Sequence, residues 1–208
     1  MKTVVQGIKN HVRTGMRTVA RGLNAISGGR VTPNGVTIFG TLMHIPIAFL
    51  IATDHFMWAA AGLLVFGLFD TLDGELARLQ NKSSVKGMLL DASTDRLKEA
   101  MLYTGIAYVL ATGPNPETAA WAAAAVGASI SVSYVKAKGE AAVASSKKEI
   151  PHHTLNRMFA DGILTFEIRM FILLVALLVD QLMVATAIVA IGATYTVLQR
   201  LVRISGKL

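Results

Sequence analysis

Cysteine is absent from this 208-residue chain, which excludes disulfide bonds and thiolate metal sites and leaves the redox compartment open. Charge is scarce too. Only 16% of residues are Asp, Glu, Lys or Arg, 53% are hydrophobic, and mean hydropathy is +0.52. So few charges cannot cover a surface that faces water on every side, and long apolar stretches point to lipid as the solvent. The arm formed by residues 1–30 is basic and polar without an early apolar core, so it does not read as a cleaved signal peptide. Acidic residues are the minority sign, 13 against 20 Lys and Arg. In a membrane chain the net charge of +7 reports topology and contact with anionic lipid, and nucleic acid is not an expected partner.

Six apolar segments follow, at 36–53, 56–69, 88–112, 118–135, 163–179 and 182–198. The second is expected to continue as helix through Asp70 and Asp73. All twenty basic residues fall before segment 1, around the 2–3 and 4–5 junctions, or after segment 6. The opposite turns carry only Asp54, Glu117 and Asp180. By the positive-inside rule both termini are cytoplasmic. In the arm, Val5, Ile8, Val12, Met16, Val19, Leu23 and Ile26 recur at helical period, with Lys9, Arg13, Arg17 and Arg21 as a separate stripe. That pattern predicts a helix lying on the cytoplasmic leaflet, its basic stripe facing anionic headgroups; the alternative is a helix packed on the bundle. Pro46 should kink helix 1, His44 reads as a satisfied interior group, and 141–153 reads as a polar loop.

The expected fold is therefore an all-α integral membrane protein: six transmembrane helices plus an N-terminal juxtamembrane amphipathic helix. One domain spans 1–208, with 1–30 as the arm and 31–208 as the bundle. The Ala- and Gly-rich stretch 119–128 permits close helix packing, without saying whether the partner belongs to the same chain. The expected assembly is a homodimer.

The chemistry concentrates between residues 70 and 95. Asp70 and Asp73 are three apart, Asp91 and Asp95 four apart, so on helices each pair shares a face. The short intervening segment allows two antiparallel helices to bring all four carboxylates together. Four unpaired anions at that depth repel one another and are costly to desolvate. Divalent cations resolve the conflict, and hard oxygen ligands select Mg²⁺, Mn²⁺ or Ca²⁺. Two such ions would suit displacement at phosphorus. Gly74 lets a nucleotide approach the backbone, and Arg78 offers a fork for phosphate. The bland alternative pairs the aspartates with Arg78, Arg96 and Lys98.

Together these residues form the pattern D-x2-D-G-x2-A-R-x8-G-x3-D-x3-D, which resembles the signature of the CDP-alcohol phosphotransferases at every motif position. The stretch at 31–37, containing Pro33, Asn34, Val36 and Thr37, resembles the family's P-N-x-V-T segment. The resemblance implies transfer of a phosphatidyl group from CDP-diacylglycerol, or a related CDP-lipid, to a small alcohol with release of CMP. It implies that Asp70, Asp73, Asp91 and Asp95 hold two Mg²⁺ ions, with Mn²⁺ an alternative, and that Asp95 is also the general base. It assigns Asn34, Gly35, Val36, Thr37, Gly74, Arg78 and Ser84 to the CDP-lipid.

For the acceptor, the run from Ser133 through Tyr134, Lys136, Lys138 and Glu140 resembles the S-Y-x-K-A-R-x-E segment of phosphatidylinositol phosphate synthases. Glu167 and Arg169 echo their E-R-x-x-R segment incompletely, and Arg200 resembles a basic position near the end. Lys136, Arg169 and Arg200 are thus expected to hold the phosphate of a phosphorylated alcohol, with inositol 1-phosphate the first choice and glycerol 3-phosphate the second. The same three cations have a topological reading, since basic residues flank cytoplasmic helix ends. A non-enzymatic ion transporter is the remote alternative; it should carry its acids at the bilayer midplane.

Overall fold

The structure, a computed structural model, describes residues 2–145 and 162–206, with the side chains of 2–6, 8, 9 and 144 outside the description. Among the described residues every element is a helix. Of the expected arm stripes, the side chains of Val5, Ile8 and Lys9 lie outside it, as do Lys147, Lys148, Arg157 and Lys207 and the 146–153 part of the expected loop. The chain forms two compact units: Met1–Leu50 with Trp58–Leu102, and Ile51–Met57 with Tyr103–Leu208.

In the first unit, α1 (Lys2–Ile26) stops at Gly28 and Gly29, whose φ of 59° and 76° lies in the left-handed region that glycine enters freely. Helix α2 (Pro33–Leu42) starts at Thr32, whose hydroxyl accepts from the Gly35 amide at 3.1 Å, and Pro33 fills the first helical position, where no donor is needed. The kink expected at Pro46 appears as a break at Met43, between α2 and α3 (His44–Ala52). Pro46 has no N–H to give to the Leu42 carbonyl, so the ladder fails there. His44 is buried with Nδ1 2.8 Å from the Gly40 carbonyl.

Helix α4 (Phe56–Gly67) leads through Leu68 into α5 (Phe69–Leu79), so Asp70 and Asp73 are helical as expected. Helix α6 (Val85–Thr112) follows, and the Ser84 hydroxyl caps it by accepting from the Gly87 amide at 3.1 Å. Small residues set the packing distances: a Cβ on Gly40 would stand 3.0 Å from Phe69 Cβ, and one on Gly62 2.9 Å from Ile47 Cγ1. Close approach through small residues is how helices associate in lipid. Ala20, Val36, Leu72 and Leu76 form the buried cluster that joins α1, α2 and α5, with Met16, Leu23 and Phe69 against it. Part of the arm's apolar stripe is thereby committed to protein, while Val19 and Ile26 stay exposed.

In the second unit, α7 (Ala119–Ser145) runs well past the expected end at 135, so 141–145 are helix rather than loop. Ala141, Ala142, Val143 and Ala144 are good helix formers or apolar, and Val143 packs with Ile204 and Val135. Helix α8 (Phe166–Val179) ends at Asp180, whose φ of 52° is the left-handed cap, and α9 (Leu182–Ser205) packs on both α7 and α8. Gly192 receives Leu164, whose Cδ1 would stand 2.5 Å from an added Cβ. Asp54, Pro114, Asn115 and Asp180 line one cavity of about 320 Å³, so the three turns without Lys or Arg gather at one end of this unit.

Four helical stretches are long and apolar enough to cross a membrane: Pro33–Ala52, Phe56–Leu79, Pro116–Val143 and Leu182–Ser205. The other two expected spans are not among them. The stretch 85–99 of α6 carries Lys86, Asp91, Asp95, Arg96, Lys98 and Glu99. Helix α8 has 14 residues, or about 21 Å at ~1.5 Å per residue, against a hydrocarbon core of about 30 Å.

Candidate metal centre and nucleotide cleft

Helices α5 and α6 are joined by a short turn in which Asn81 adopts φ 54°. The three- and four-residue spacings turn the acidic faces toward each other. One carboxylate oxygen from each of Asp70, Asp91 and Asp95 lies within 4.8 Å of the others. Lys98 occupies this cluster: its Nζ bonds Asp70 Oδ1 and stands 3.3 Å from Asp95 Oδ1, and the side chain is 1% exposed. Arg96 lies 3.7 Å from Asp95 and 3.1 Å from the buried Glu99. Even so, Asp91 Oδ1 is buried without a hydrogen-bond partner among the described residues. An ammonium inside an acidic trio, with a carboxylate oxygen still unanswered, fits a site for a hard divalent cation.

Asp73 stands apart from the trio. Its Oδ2 accepts from the Thr37 hydroxyl at 2.5 Å, and that hydroxyl also lies 3.2 Å from the Pro33 carbonyl. Arg78 pairs with none of the four aspartates. Its Nη2 donates to Glu75 Oε1 at 2.6 Å. Of the pairings in the bland alternative, those of Lys98 and Arg96 are present and that of Arg78 is not.

A cavity of about 260 Å³ opens beside the cluster, lined by Asp73 and Asp91 and by five of the expected nucleotide residues: Asn34, Thr37, Gly74, Arg78 and Ser84. Gly35 and Val36 do not line it. The Gly35 amide is spent on the Thr32 cap, and Val36 is buried against Leu72 and Leu76. Lys82, Ser83 and Gly87 line the cleft without having been singled out as ligands. The sequence signal for Lys82 is weak: it lies in the eight-residue spacer between the signature halves, but so does Lys86, which does not line the cleft. A Cβ at Gly87 would meet Ser84 Oγ at 3.4 Å and Asn34 Oδ1 at 3.5 Å, and one at Gly74 would stand 3.5 Å from Arg78 Nη2. Lys98, expected as a pairing partner of the aspartates, stands three residues beyond Asp95 on the same helical face.

The second unit holds the other expected residues. Arg169 on α8 and Arg200 on α9 are 1% and 5% exposed, donate through Nη1 to the carbonyls of Leu164 and Val132 at 2.9 Å each, and lie within electrostatic reach of one another. The Glu140 carboxylate also lies within electrostatic reach of Arg200, and guanidinium forks of this kind suit phosphate oxygens. Lys136 is exposed and stands 3.9 Å from Glu140; the structure does not bury it with the two arginines.

Helices suited to lipid, an acidic centre suited to a hard cation, and a cleft edged by arginine and lysine define a membrane enzyme acting on a phosphorylated substrate through a divalent metal. Comparison with known proteins agrees. The sequence model of CDP-alcohol phosphatidyltransferase matches residues 30–198. The phosphatidylinositol phosphate synthase of Corynebacterium glutamicum is 34% identical over 182 residues, covering 83% of this chain and 77% of the relative. That of Cutibacterium acnes is 32% identical over 140 residues, 66% of this chain and 68% of the relative. Crystal structures of the Mycobacterium tuberculosis phosphatidylinositol phosphate synthase are similar throughout. With CDP-DAG bound the TM-score is 0.76 at 26% identity, covering 91% of this chain and 92% of the other; with manganese and citrate it is 0.78 at 25%, covering 91% and 88%. The chain belongs to the CDP-alcohol phosphatidyltransferase family. It is a membrane-type transferase of phospholipid biosynthesis.

Proposed function

We propose that this chain moves the phosphatidyl group of CDP-diacylglycerol onto a free hydroxyl of inositol 1-phosphate and releases CMP. The observation that carries this reading is the convergence of Asp70, Asp91 and Asp95 within 4.8 Å beside a cleft bearing Arg78 and Lys82. Asp70, Asp73, Asp91 and Asp95 would hold two divalent cations, Mg²⁺ or Mn²⁺. When bound, these supply charge neutralisation of the diphosphate and of the leaving oxygen. Thr37 keeps Asp73 oriented by its hydroxyl. Asn34, Ser84, Arg78 and Lys82 bind the cytidine diphosphate, and Gly74 leaves room for its approach. Asp95 takes the proton from the acceptor hydroxyl. The hydroxyl oxygen then bonds the phosphorus that carries the diacylglycerol, the bond from that phosphorus to the CMP oxygen breaks, and CMP leaves with the electron pair.

The acceptor's phosphate is assigned to Arg169 and Arg200, with Lys136 swinging from Glu140 to join them. Buried arginines recognise phosphate through planar, charge-assisted bonds, and this chemistry would also serve glycerol 3-phosphate. Six spans are proposed in total, with α8 and the apolar half of α6 completing the four apolar stretches. The termini and the active site then face the cytoplasm, the remainder of the arm rests on the leaflet, and 1–208 works as one functional domain. The proposed assembly is a homodimer.

The test is purified protein given CDP-diacylglycerol and a panel of free and phosphorylated alcohols, with CMP release as the readout. Turnover with inositol 1-phosphate alone supports the reading. Turnover with glycerol 3-phosphate alone reassigns the acceptor and leaves the reaction in place, and no turnover with any phosphorylated alcohol removes the basic cluster from the acceptor site.

A further inference from the structure

Glu75 lies inside the acidic signature but occupies none of its four aspartate positions. Its side chain is 2% exposed, and its two oxygens collect three guanidinium groups. Arg13 Nε and Arg78 Nη2 each reach Oε1 at 2.6 Å, and Arg17 Nε reaches Oε2 at 3.1 Å. A fourth arginine, Arg21, lines a cavity of about 180 Å³ together with Arg17, Arg78, Glu75 and Leu79. Four arginines surround one carboxylate, so positive charge is in excess. Arg13 and Arg17 approach Glu75 through Nε, which leaves their terminal Nη groups without an acceptor among the described residues. Arg21 makes no ion pair among the described residues. It stands four residues after Arg17, on the same face of α1.

We propose that this cavity is a phosphate-binding site, distinct from the nucleotide cleft, in which Glu75 orders the arginines and Arg17 and Arg21 read the anion. Guanidinium forks match phosphate oxygens, and the bonds are charge-assisted. The position of the cavity favours the headgroup phosphate of an anionic phospholipid over free phosphate. Leu79 lines it and is also the last residue of the membrane-crossing stretch Phe56–Leu79, which puts the cavity at the depth where an apolar span gives way to headgroups. Val19 and Ile26 expose apolar side chains on the same helix, α1. Arg78 lines both this cavity and the nucleotide cleft, so the bound headgroup shares a guanidinium with the donor site.

The experiment compares protein in nanodiscs of neutral phosphatidylcholine with protein in nanodiscs that also contain phosphatidylglycerol. Native mass spectrometry counts the phosphatidylglycerol that stays bound when the disc is stripped. Arg17→Gln and Arg21→Gln should each lower that retention roughly fivefold, the worth of one arginine near an anionic surface. Lys138→Gln, which removes the same charge from an exposed position on α7, should leave it unchanged. Arg21→Gln breaks no ion pair among the described residues, so it reads the site even if Arg17→Gln disturbs the helix. Inorganic phosphate, titrated into the phosphatidylcholine sample and followed by phosphorus NMR, separates the sources. Binding that Arg21→Gln abolishes supports the site with a free anion as its occupant. Equal loss of lipid in Lys138→Gln, or unchanged retention in both arginine variants, overturns the proposal. Retention is measured without turnover, so its failure is distinguishable from failure of Arg78 to bind the donor.

Discussion

Replacing Lys98 with methionine should make the stability of this protein depend on divalent metal. Lys98 is buried between Asp70 and Asp95. At the 3.3 Å separating Nζ from Asp95 Oδ1, two unit charges attract by about 5 kcal/mol at an effective dielectric of ~20. Desolvation offsets part of this, and removing one partner of a buried pair costs about 3–5 kcal/mol because the other charge is stranded. Here the stranded groups are carboxylates that also serve as proposed cation ligands. The cost should therefore appear in full in chelator and shrink when Mg²⁺ is added. In a chain of this size, 3–5 kcal/mol corresponds to a fall in Tm of about 6–20 °C. Fluorescence of Trp58 and Trp121 during heating in detergent, with EDTA or with Mg²⁺, gives the four melting curves needed. The gap between the two conditions should be wider in Lys98→Met than in the parent protein. If the variant melts like the parent in EDTA, the ion pair contributes nothing. If Mg²⁺ raises both proteins equally, lysine and metal do not share these carboxylates.

Other substitutions separate the proposed roles. Asp91→Asn should abolish CMP release while the protein still elutes as folded in detergent, because Asp91 supplies the unpartnered buried oxygen of the centre; an active Asp91→Asn enzyme would remove it from the metal site. Asp95→Asn should lower turnover by a factor on the order of 10²–10⁴ with donor affinity largely retained, and an equal loss of CDP-lipid affinity would make Asp95 chiefly a ligand. Arg169→Ala and Arg200→Ala should each raise the apparent KM for the acceptor by roughly ten- to a hundredfold, the worth of a charge-assisted hydrogen bond of about 1.5–3 kcal/mol, while KM for the CDP-lipid stays put. A change confined to the CDP-lipid would move these residues to the donor side.

Spacing along one helix was readable without coordinates. Asp70 with Asp73, and Asp91 with Asp95, share faces because of the 3.6-residue period, and the x8 spacer is short enough to bring two helices side by side. The break near Pro46, the Thr32–Pro33 start of α2, and the gathering of turns that hold Asp54 and Asp180 but no Lys or Arg are equally local or compositional. Partners across helices were not readable, because they depend on how far one helix slides and rotates against another. That register sets Asp73 against Thr37 while Lys98 pairs with Asp70 and Asp95. It buries Val36 beside Leu72 while its neighbours Asn34 and Thr37 face the cleft. It also brings Arg13 and Arg17 of the arm onto Glu75, a residue whose place in the signature carries no sign that a helix about sixty positions earlier would supply its counter-charges. The sequence by itself determined the family chemistry and the acidic centre. Tertiary packing alone decided which charges answer which, since ion pairing is a matter of ångströms between elements and periodicity is a matter of degrees within one.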